Sequence, residues 1–202
     1  MKIEITLDIP CVWSYFAFNR LRRAAARVRA TGATVDFVFH PYQLAPGTSS
    51  DAEPKSAVLR RAFGSGADAA VARVTALAAA EGLEFDHERA LWSNTFEAHR
   101  LIADAGARGR AEDVVERLFR AHHTDGLNIA DPEVLRSVAA EFSVVRRGDG
   151  ADALRSALER VRREALPGIP FLRFPDGATS TGMPSTALLD HALGLPERAT
   201  SA

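Results

Sequence analysis

Cysteine is nearly absent from this chain, since Cys11 is the single cysteine among 202 residues. One thiol excludes an internal disulfide and argues against a cluster of thiolate metal ligands. An excess of charge is also lacking, with 25 basic and 26 acidic residues, so bulk electrostatics do not predict a nucleic-acid partner. Alanine-rich runs such as 76–80 are too short to span a membrane, and no export signal precedes the first strand. We therefore expect a cytoplasmic protein with neither nucleic-acid nor membrane partners.

Several common kinds of active site are missing as well. The sequence has no His-x-x-x-His pair, no glycine-rich phosphate loop and no recognisable Ser-His-Asp arrangement. His122 and His123 are adjacent on a predicted helix and point in different directions, so they do not form a metal site by themselves. His99 lies on an amphipathic helix, where a satisfied interface histidine is more common than a ligand. We predict no metal site and no tightly bound cofactor.

The periodicity of the apolar residues predicts an α/β protein. Alternation at the start indicates a strand, and the next apolar residues have the spacing of an amphipathic helix. A second strand follows, so the first three elements predict two parallel strands joined by a helix. Near the end, a hairpin with an Asp176-Gly177 turn precedes a last helix. The predicted ranges of these elements are 2–8, 15–29, 34–40, 171–174, 179–181 and 184–193.

The segment between the two sheet-forming ends is dominated by helix formers. We predict helices there near 55–63, 67–82, 87–107, 111–124, 131–141 and 151–163. The two ends together make one small mixed sheet covered by helices, which is the thioredoxin arrangement. The predicted organisation is a discontinuous thioredoxin-like domain (1–50 and 164–195), a helical subdomain inserted after the second strand (51–163) and a flexible tail (196–202).

Cys11 stands where the first strand ends and the first helix begins. The first helical N–H groups and the helix dipole favour negative charge there, so this position predicts a lowered thiol pKa and a reactive thiolate. The alternative is a small buried hydrophobic residue, which a lone cysteine often is. Trp13 offers a flat apolar wall. Ser14 is interpreted either as an early-turn residue or as a hydroxyl that donates to the Cys11 thiolate or to a bound sulfur.

The segment Pro167-Gly168-Ile169-Pro170 comes directly before the third strand of the sheet. It is either an ordinary turn or, in a thioredoxin-like layout, a bend that lies opposite the cysteine. The Ile169–Pro170 bond is a candidate for the cis form, which only bonds before proline adopt at low cost. The backbone of Ile169 would then be free to pair with an extended peptide or thiol ligand.

Several separate segments resemble the DsbA-like thioredoxin family, and within it the FrnE-like branch associated with polyketide biosynthesis. The family start Asp-x-x-Cys-Pro-Trp-Cys-Tyr is similar to Asp8-Ile9-Pro10-Cys11-Val12-Trp13-Ser14-Tyr15. Further matching segments occur in the same order as in the family and extend the resemblance over nearly the whole chain. They are His40-Pro41-Tyr42-Gln43-Leu44-Ala45-Pro46, Asn94-Thr95-Phe96-Glu97-Ala98-His99-Arg100-Leu101, the run from Leu118 to Ile129, and Gly168-Ile169-Pro170-Phe171.

The resemblance implies a thiol-disulfide oxidoreductase with Cys11 as nucleophile and Ser14 beside it. The chain departs from the family at Val12, where proline is usual, and at Ser14, where the resolving cysteine stands. A monothiol cycle then needs glutathione or another low-molecular-weight thiol as co-substrate. The residues that the resemblance and the pattern assign to substrate or thiol binding are Trp13, Tyr15, Tyr42, Gln43, Asn94, His99, Ile169 and Pro170.

Two further functions stay open. The kappa-type glutathione transferases and 2-hydroxychromene-2-carboxylate isomerases are similar in having a helical insertion and an active-site serine. This likeness suggests a glutathione-dependent transferase or isomerase acting on a small aromatic or polyketide-type molecule, with Trp92 and Phe96 among the pocket residues. The third alternative is a non-catalytic binding module that keeps the fold. Apolar helix faces also allow a homodimer.

Overall fold

The structure is a computed structural model that describes residues 1–196. The chain begins with strand β1 (Lys2–Leu7), helix α1 (Val12–Arg29) and strand β2 (Asp36–Pro41). β1 and β2 are parallel neighbours over six paired positions, as the sequence predicts. The second strand starts two residues later than predicted and includes Pro41, which pairs with Leu7 at the end of the ladder.

The inserted segment consists of helices, the loops between them and one short ladder. The predicted helix over 87–107 is wrong in its first half, because the helix begins only at Phe96. Residues 91–92 instead pair antiparallel with residues 53–54. The side chain of Asn94 accepts the N–H of Phe96, which fixes the start of the helix. The elements of the insertion are β3 (Glu53–Pro54), α2 (Lys55–Phe63), α3 (Ala67–Ala80), β4 (Leu91–Trp92), α4 (Phe96–Gly106), α5 (Ala111–His123), α6 (Pro132–Glu141) and α7 (Ala151–Arg163).

The end of the chain completes the sheet. Strand β5 (Phe171–Arg173) and strand β6 (Thr179–Thr181) form the predicted hairpin, and helix α8 (Thr186–Ala192) follows. β5 pairs antiparallel with β1, so the strand order is β2-β1-β5-β6. This four-stranded mixed sheet, with its helical insertion between β2 and β5, confirms the predicted thioredoxin fold.

Helix α1 joins the sheet to the insertion through an apolar stripe. Phe18 and Leu21 on this stripe are fully buried, as the 3.6-residue spacing predicts. The Phe18 ring lies 5.7 Å from that of Phe39 on β2 and 5.7 Å from that of Phe119 on α5. Burying each such side chain contributes about 1.5–3 kcal/mol. The middle of α1 is therefore held between two parts of the fold.

Two further findings concern the predicted tail and the length of the helices. Of the predicted flexible tail (196–202), residues 197–202 lie outside the part of the chain that the structure describes. Within residues 1–196, no helix is both long enough and apolar enough to cross a membrane.

Candidate active site

Cys11 occupies the N-cap position of α1, directly before the first helical residue. Its N–H donates to the carbonyl oxygen of Asp8 at 3.2 Å, and its own carbonyl accepts the N–H of Tyr15 at 3.2 Å. The turn after β1 thus sets the sulfur at the start of the helix. The residue is 8% exposed, so its thiol is only narrowly open to solvent.

The Ile169-Pro170 bend faces this sulfur. The Cys11 Sγ lies 4.0 Å from the carbonyl oxygen of Ile169, although 158 positions separate the two residues. The Ile169–Pro170 peptide bond is cis, and the Pro170 carbonyl accepts the N–H of Gly182 at 2.8 Å. Within residues 1–196, the backbone of Ile169 makes no hydrogen bond to another backbone group. Its N–H is therefore open to pairing with a ligand, while its carbonyl contacts the Cys11 thiol.

The pKa of the Cys11 thiol is raised, not lowered as the sequence predicts. Burial is the largest cause, and the negative charge of Asp8 adds to it. Hydrogen bonds from the Ser14 hydroxyl and from the N–H groups of Trp13 and Ser14 act in the opposite direction. The predicted helix-terminus effect is thus present, but removing the sulfur from water outweighs it.

Ser14 lies one turn into the helix and is fully buried. Its Oγ has no hydrogen-bond partner of normal geometry in the described part of the chain. Its hydroxyl nevertheless lies where donation to the sulfur lowers the pKa of Cys11. A buried hydroxyl without a fixed acceptor is free to donate to an anionic sulfur.

The two aromatic residues beside the cysteine have different positions. Trp13 is 37% exposed, with its ring edge-on to Phe16 at 5.8 Å, so it is accessible to a ligand. Tyr15 is buried, and its ring stacks on those of Phe119 at 4.6 Å and His123 at 5.6 Å. Burial raises its pKa to about 12. The structure therefore corrects the prediction for Tyr15, which belongs to the core and not to a ligand surface.

His99 and Tyr42 belong to a buried cluster around Asp8. The His99 Nε2 lies 2.8 Å from the Tyr42 carbonyl oxygen and 3.1 Å from Asp8 Oδ1. A carbonyl only accepts, so Nε2 carries the hydrogen. Asp8 also accepts the N–H groups of Ile9 and Leu44. His99 is thus a satisfied interface histidine, and its role in ligand binding stays a prediction.

Gln43 and Asn94 hold a loop onto the insertion. Gln43 Nε2 donates to Asn94 Oδ1 at 3.2 Å. Asn94 Nδ2 donates to the carbonyl oxygens of Pro46 at 3.1 Å and Thr48 at 2.9 Å. The polar groups of both side chains are engaged in these loop contacts, so the structure assigns them to positioning of the loop and brings neither to Cys11.

Trp92 and Phe96, which are predicted to line an apolar pocket beside the thiol, make contacts with other segments of the fold. The indole N–H of Trp92 donates to Thr48 Oγ1 at 3.3 Å, and Arg155 covers the Phe96 ring at 5.5 Å. A cavity of about 450 Å³ lies elsewhere, between β2 and helices α4 and α7. Cys11 is not among its lining residues, which include Phe39, His99 and Leu154.

A cluster of basic residues near Cys11, formed by Lys55, His122 and His123, was not predicted from the sequence. Lys55 is 3% exposed, and its Nζ lies 3.3 Å from His122 Nε2 and 3.5 Å from His123 Nδ1. The two histidines do point in different directions, with their rings 86° apart, yet both reach the same ammonium. Across residues 1–196, no set of three histidine, cysteine or acidic side chains is arranged to hold a metal ion.

The profile of the DSBA-like thioredoxin domain matches residues 2–194. The chain belongs to this family. The cysteine at the start of α1, facing a cis-proline bend, lies in that domain, and the family accounts for the sheet and for the helical insertion. A comparison with curated protein sequences gave no match.

Solved structures similar to this one carry the names of two redox proteins and an isomerase. A probable DsbA oxidoreductase from Streptomyces coelicolor is 25% identical, with a TM-score of 0.83 over 100% of this chain and 94% of that one. The cytosolic disulfide reductase DsbM from Pseudomonas aeruginosa is 21% identical, with a TM-score of 0.63 over 96% of both chains. A 2-hydroxychromene-2-carboxylate isomerase is 15% identical, with a TM-score of 0.69 over 96% of this chain and 95% of that one. The latter two likenesses concern the fold alone.

Proposed function

We propose that this DSBA-like protein is a thiol-disulfide oxidoreductase that works with one thiol. The observation that carries the proposal is the position of Cys11, at the start of α1 and 4.0 Å from the carbonyl of Ile169. The backbone of Ile169, which makes no hydrogen bond to another backbone group within residues 1–196, would hold a disulfide substrate in extended form across the sulfur. Trp13, which is accessible, would cover one side of that substrate.

The reaction has two steps because the chain has no second cysteine. The Cys11 thiolate attacks one sulfur of a disulfide, forms a mixed disulfide and releases the other sulfur as a thiolate. Ser14 and the first N–H groups of α1 stabilise the anion before the attack. A glutathione or other small-thiol thiolate then attacks the mixed disulfide and restores Cys11 as a thiolate. This second step fits a cytoplasmic location, which we also propose, because small thiols are kept reduced there.

Exchange with a small disulfide substrate tests the proposal directly. Cys11→Ser should abolish exchange, while Lys2→Met, at an exposed site on β1, should leave it unchanged. Ser14→Cys supplies a resolving thiol one turn away, so this variant should release its product without added glutathione. The unaltered protein should stop after one turnover under the same conditions. Exchange that persists in Cys11→Ser would overturn the proposal.

A glutathione-dependent transferase or isomerase is the second candidate, and Ser14 favours it. A fully buried hydroxyl without a fixed acceptor would donate equally well to the sulfur of a bound glutathione. Cys11 would then be dispensable. Titration calorimetry with glutathione on Cys11→Ser and on Ser14→Ala separates the candidates. Binding that survives the loss of Cys11 and fails with the loss of Ser14 supports the transferase or isomerase, and the reverse supports the oxidoreductase.

A further inference from the structure

Lys55 is one of two lysines in a chain with 25 basic residues, and it is the buried one. Arginine serves at almost every other basic position. An arginine stays protonated at all relevant pH values, whereas a buried lysine can titrate. The backbone at this lysine is fixed by the β3–β4 ladder and by its own N–H, which donates to the Ala90 carbonyl at 2.9 Å. The backbone from which the Lys55 side chain extends is therefore held in a fixed position.

The hydrogen bonds around Lys55 fix the tautomers of two histidines. An ammonium only donates, so His122 Nε2 and His123 Nδ1 accept, and each ring carries its hydrogen on the other nitrogen. For His123 that nitrogen donates to the Ile9 carbonyl at 2.9 Å. Ile9 lies in the turn that ends at Cys11. The lysine is thus connected through one neutral imidazole to the turn that positions the thiol.

The histidines cannot balance the charge of this lysine. Burial and the Lys55 charge hold the pKa values of His122 and His123 well below the usual range, so both rings are neutral near pH 7. His87, whose pKa burial and Lys55 also lower, is the third histidine that faces the cluster, and Asp86 lies beside it. No carboxylate among residues 1–196 pairs with the Lys55 ammonium. A buried cation without a counter-ion is costly.

One acidic group acts on Lys55 through its charge, and it is the thiol. Burial lowers the pKa of Lys55 to about 8, and the negative charge of Cys11 opposes that shift. The charge of Asp8 opposes ionisation of the sulfur, because it raises the pKa of Cys11. We propose that Lys55 is a positioning residue for the Cys11 thiolate, a buried ammonium oriented by two neutral histidines that acts as its counter-cation. This inference rests on the proposed function, in which the thiolate is the nucleophile.

The pairing links the protonation of Lys55 to the state of the sulfur. When Cys11 ionises, its thiolate and the Lys55 ammonium are opposite charges that stabilise each other. When Cys11 becomes a mixed disulfide or is alkylated, its sulfur is neutral and the ammonium loses its counter-ion. Lys55 then releases its proton at a lower pH, and it regains the proton when the thiolate returns.

The first test is the alkylation rate of the single thiol by iodoacetamide as a function of pH. Lys55→Met should move the profile to higher pH and slow labelling at pH 7.5 about tenfold, because an opposite charge no longer favours the thiolate. Lys2→Met, which removes the exposed lysine, is the matched control and should label at the unaltered rate. Circular dichroism checks that both variants fold. A Lys55→Met profile that coincides with that of the unaltered protein overturns the proposal.

The second test needs no substitution. The side-chain nitrogens of Lys2 and Lys55 are the only two lysine signals in a ¹⁵N-labelled sample, and Lys2 serves as an internal reference. The Lys55 signal should titrate at a lower pH after alkylation of Cys11, while that of Lys2 should not move. An unchanged Lys55 titration contradicts the pairing. Neither measurement depends on turnover. The pairing of Lys55 with Cys11 can therefore fail while the protein is still an oxidoreductase, and it can hold in a protein without that activity.

Discussion

Two buried histidine clusters hold the same short turn from opposite sides. On one side, Asp8 accepts the Ile9 N–H at 3.0 Å and lies 3.1 Å from His99. On the other side, His123 donates to the Ile9 carbonyl at 2.9 Å and lies 3.5 Å from Lys55. Both clusters are fixed by residues of the insertion. The peptide groups before Cys11 are thus held from both sides.

The two clusters differ in how completely they are satisfied. In the Asp8–His99 cluster, each carboxylate oxygen has a donor and the histidine has acceptors, so it needs nothing more. In the Lys55 cluster, His122 Nδ1 has no partner within residues 1–196 and the ammonium faces neutral rings. A complete polar cluster stabilises a fold, whereas an incomplete one leaves a charge available for chemistry. The comparison separates a structural cluster from a functional one.

The largest expected effect is a loss of stability when the complete cluster is broken. His99→Leu removes the donor to the Tyr42 carbonyl and to Asp8, and these buried acceptors then lose a hydrogen bond. We expect the free energy of unfolding to fall by about 3 kcal/mol. Lys55→Met removes a buried cation that has no carboxylate partner, so it should not lower the free energy of unfolding at pH 7. Urea unfolding measures both, and equal losses would remove the distinction between the clusters.

A second effect is the pH dependence of stability that Lys55 confers. Its pKa is about 8 in the folded protein against an ordinary 10.5, so between these values the unfolded chain binds one proton more. The free energy of unfolding should therefore rise with pH in this window, by up to about 3 kcal/mol. Below pH 8 both states are protonated and this slope vanishes.

The control for this pH dependence is a pair of proteins without the thiol, because Cys11 is a second titratable group whose charge acts on Lys55. Cys11→Ser and Cys11→Ser/Lys55→Met are compared by urea unfolding from pH 7 to 10.5. Their difference should change only above about pH 8, in favour of the protein that keeps the lysine. Parallel pH curves would mean that Lys55 is not titrating in this window.

The local part of this picture is predictable from the sequence. The strands, α1 and the hairpin follow from apolar periodicity, and the position of Ile169–Pro170 before a strand indicates the cis bend. The placement of Tyr15 in the core also follows from its spacing to Phe18 on the same stripe. This spacing therefore argues against the prediction that Tyr15 contacts a ligand.

The remaining errors come from contacts between distant segments. The first part of the helix predicted over 87–107 gives way to β4, because residues 91–92 pair with residues 53–54. The thiol pKa was predicted from the dipole of α1, a local effect, whereas the burial that outweighs it is a property of the whole fold. Lys55 was missed because the burial of a lysine depends on tertiary packing. Its rarity in an arginine-rich chain was the one available signal.

The smallest expected effect concerns the charge of Asp8, which tests the Asp8–His99 cluster in the same way as Lys55→Met tests the Lys55 cluster. Asp8 raises the pKa of Cys11, so Asp8→Asn should lower it and speed iodoacetamide labelling at pH 7.5 by about two- to threefold. The amide retains an oxygen that can accept from Ile9 or Leu44, so most of the fold should be kept. Asp8→Asn and Lys55→Met should thus shift the labelling profile in opposite directions. Slower labelling in Asp8→Asn would show that Asp8 acts on the thiol by holding the turn and not by its charge.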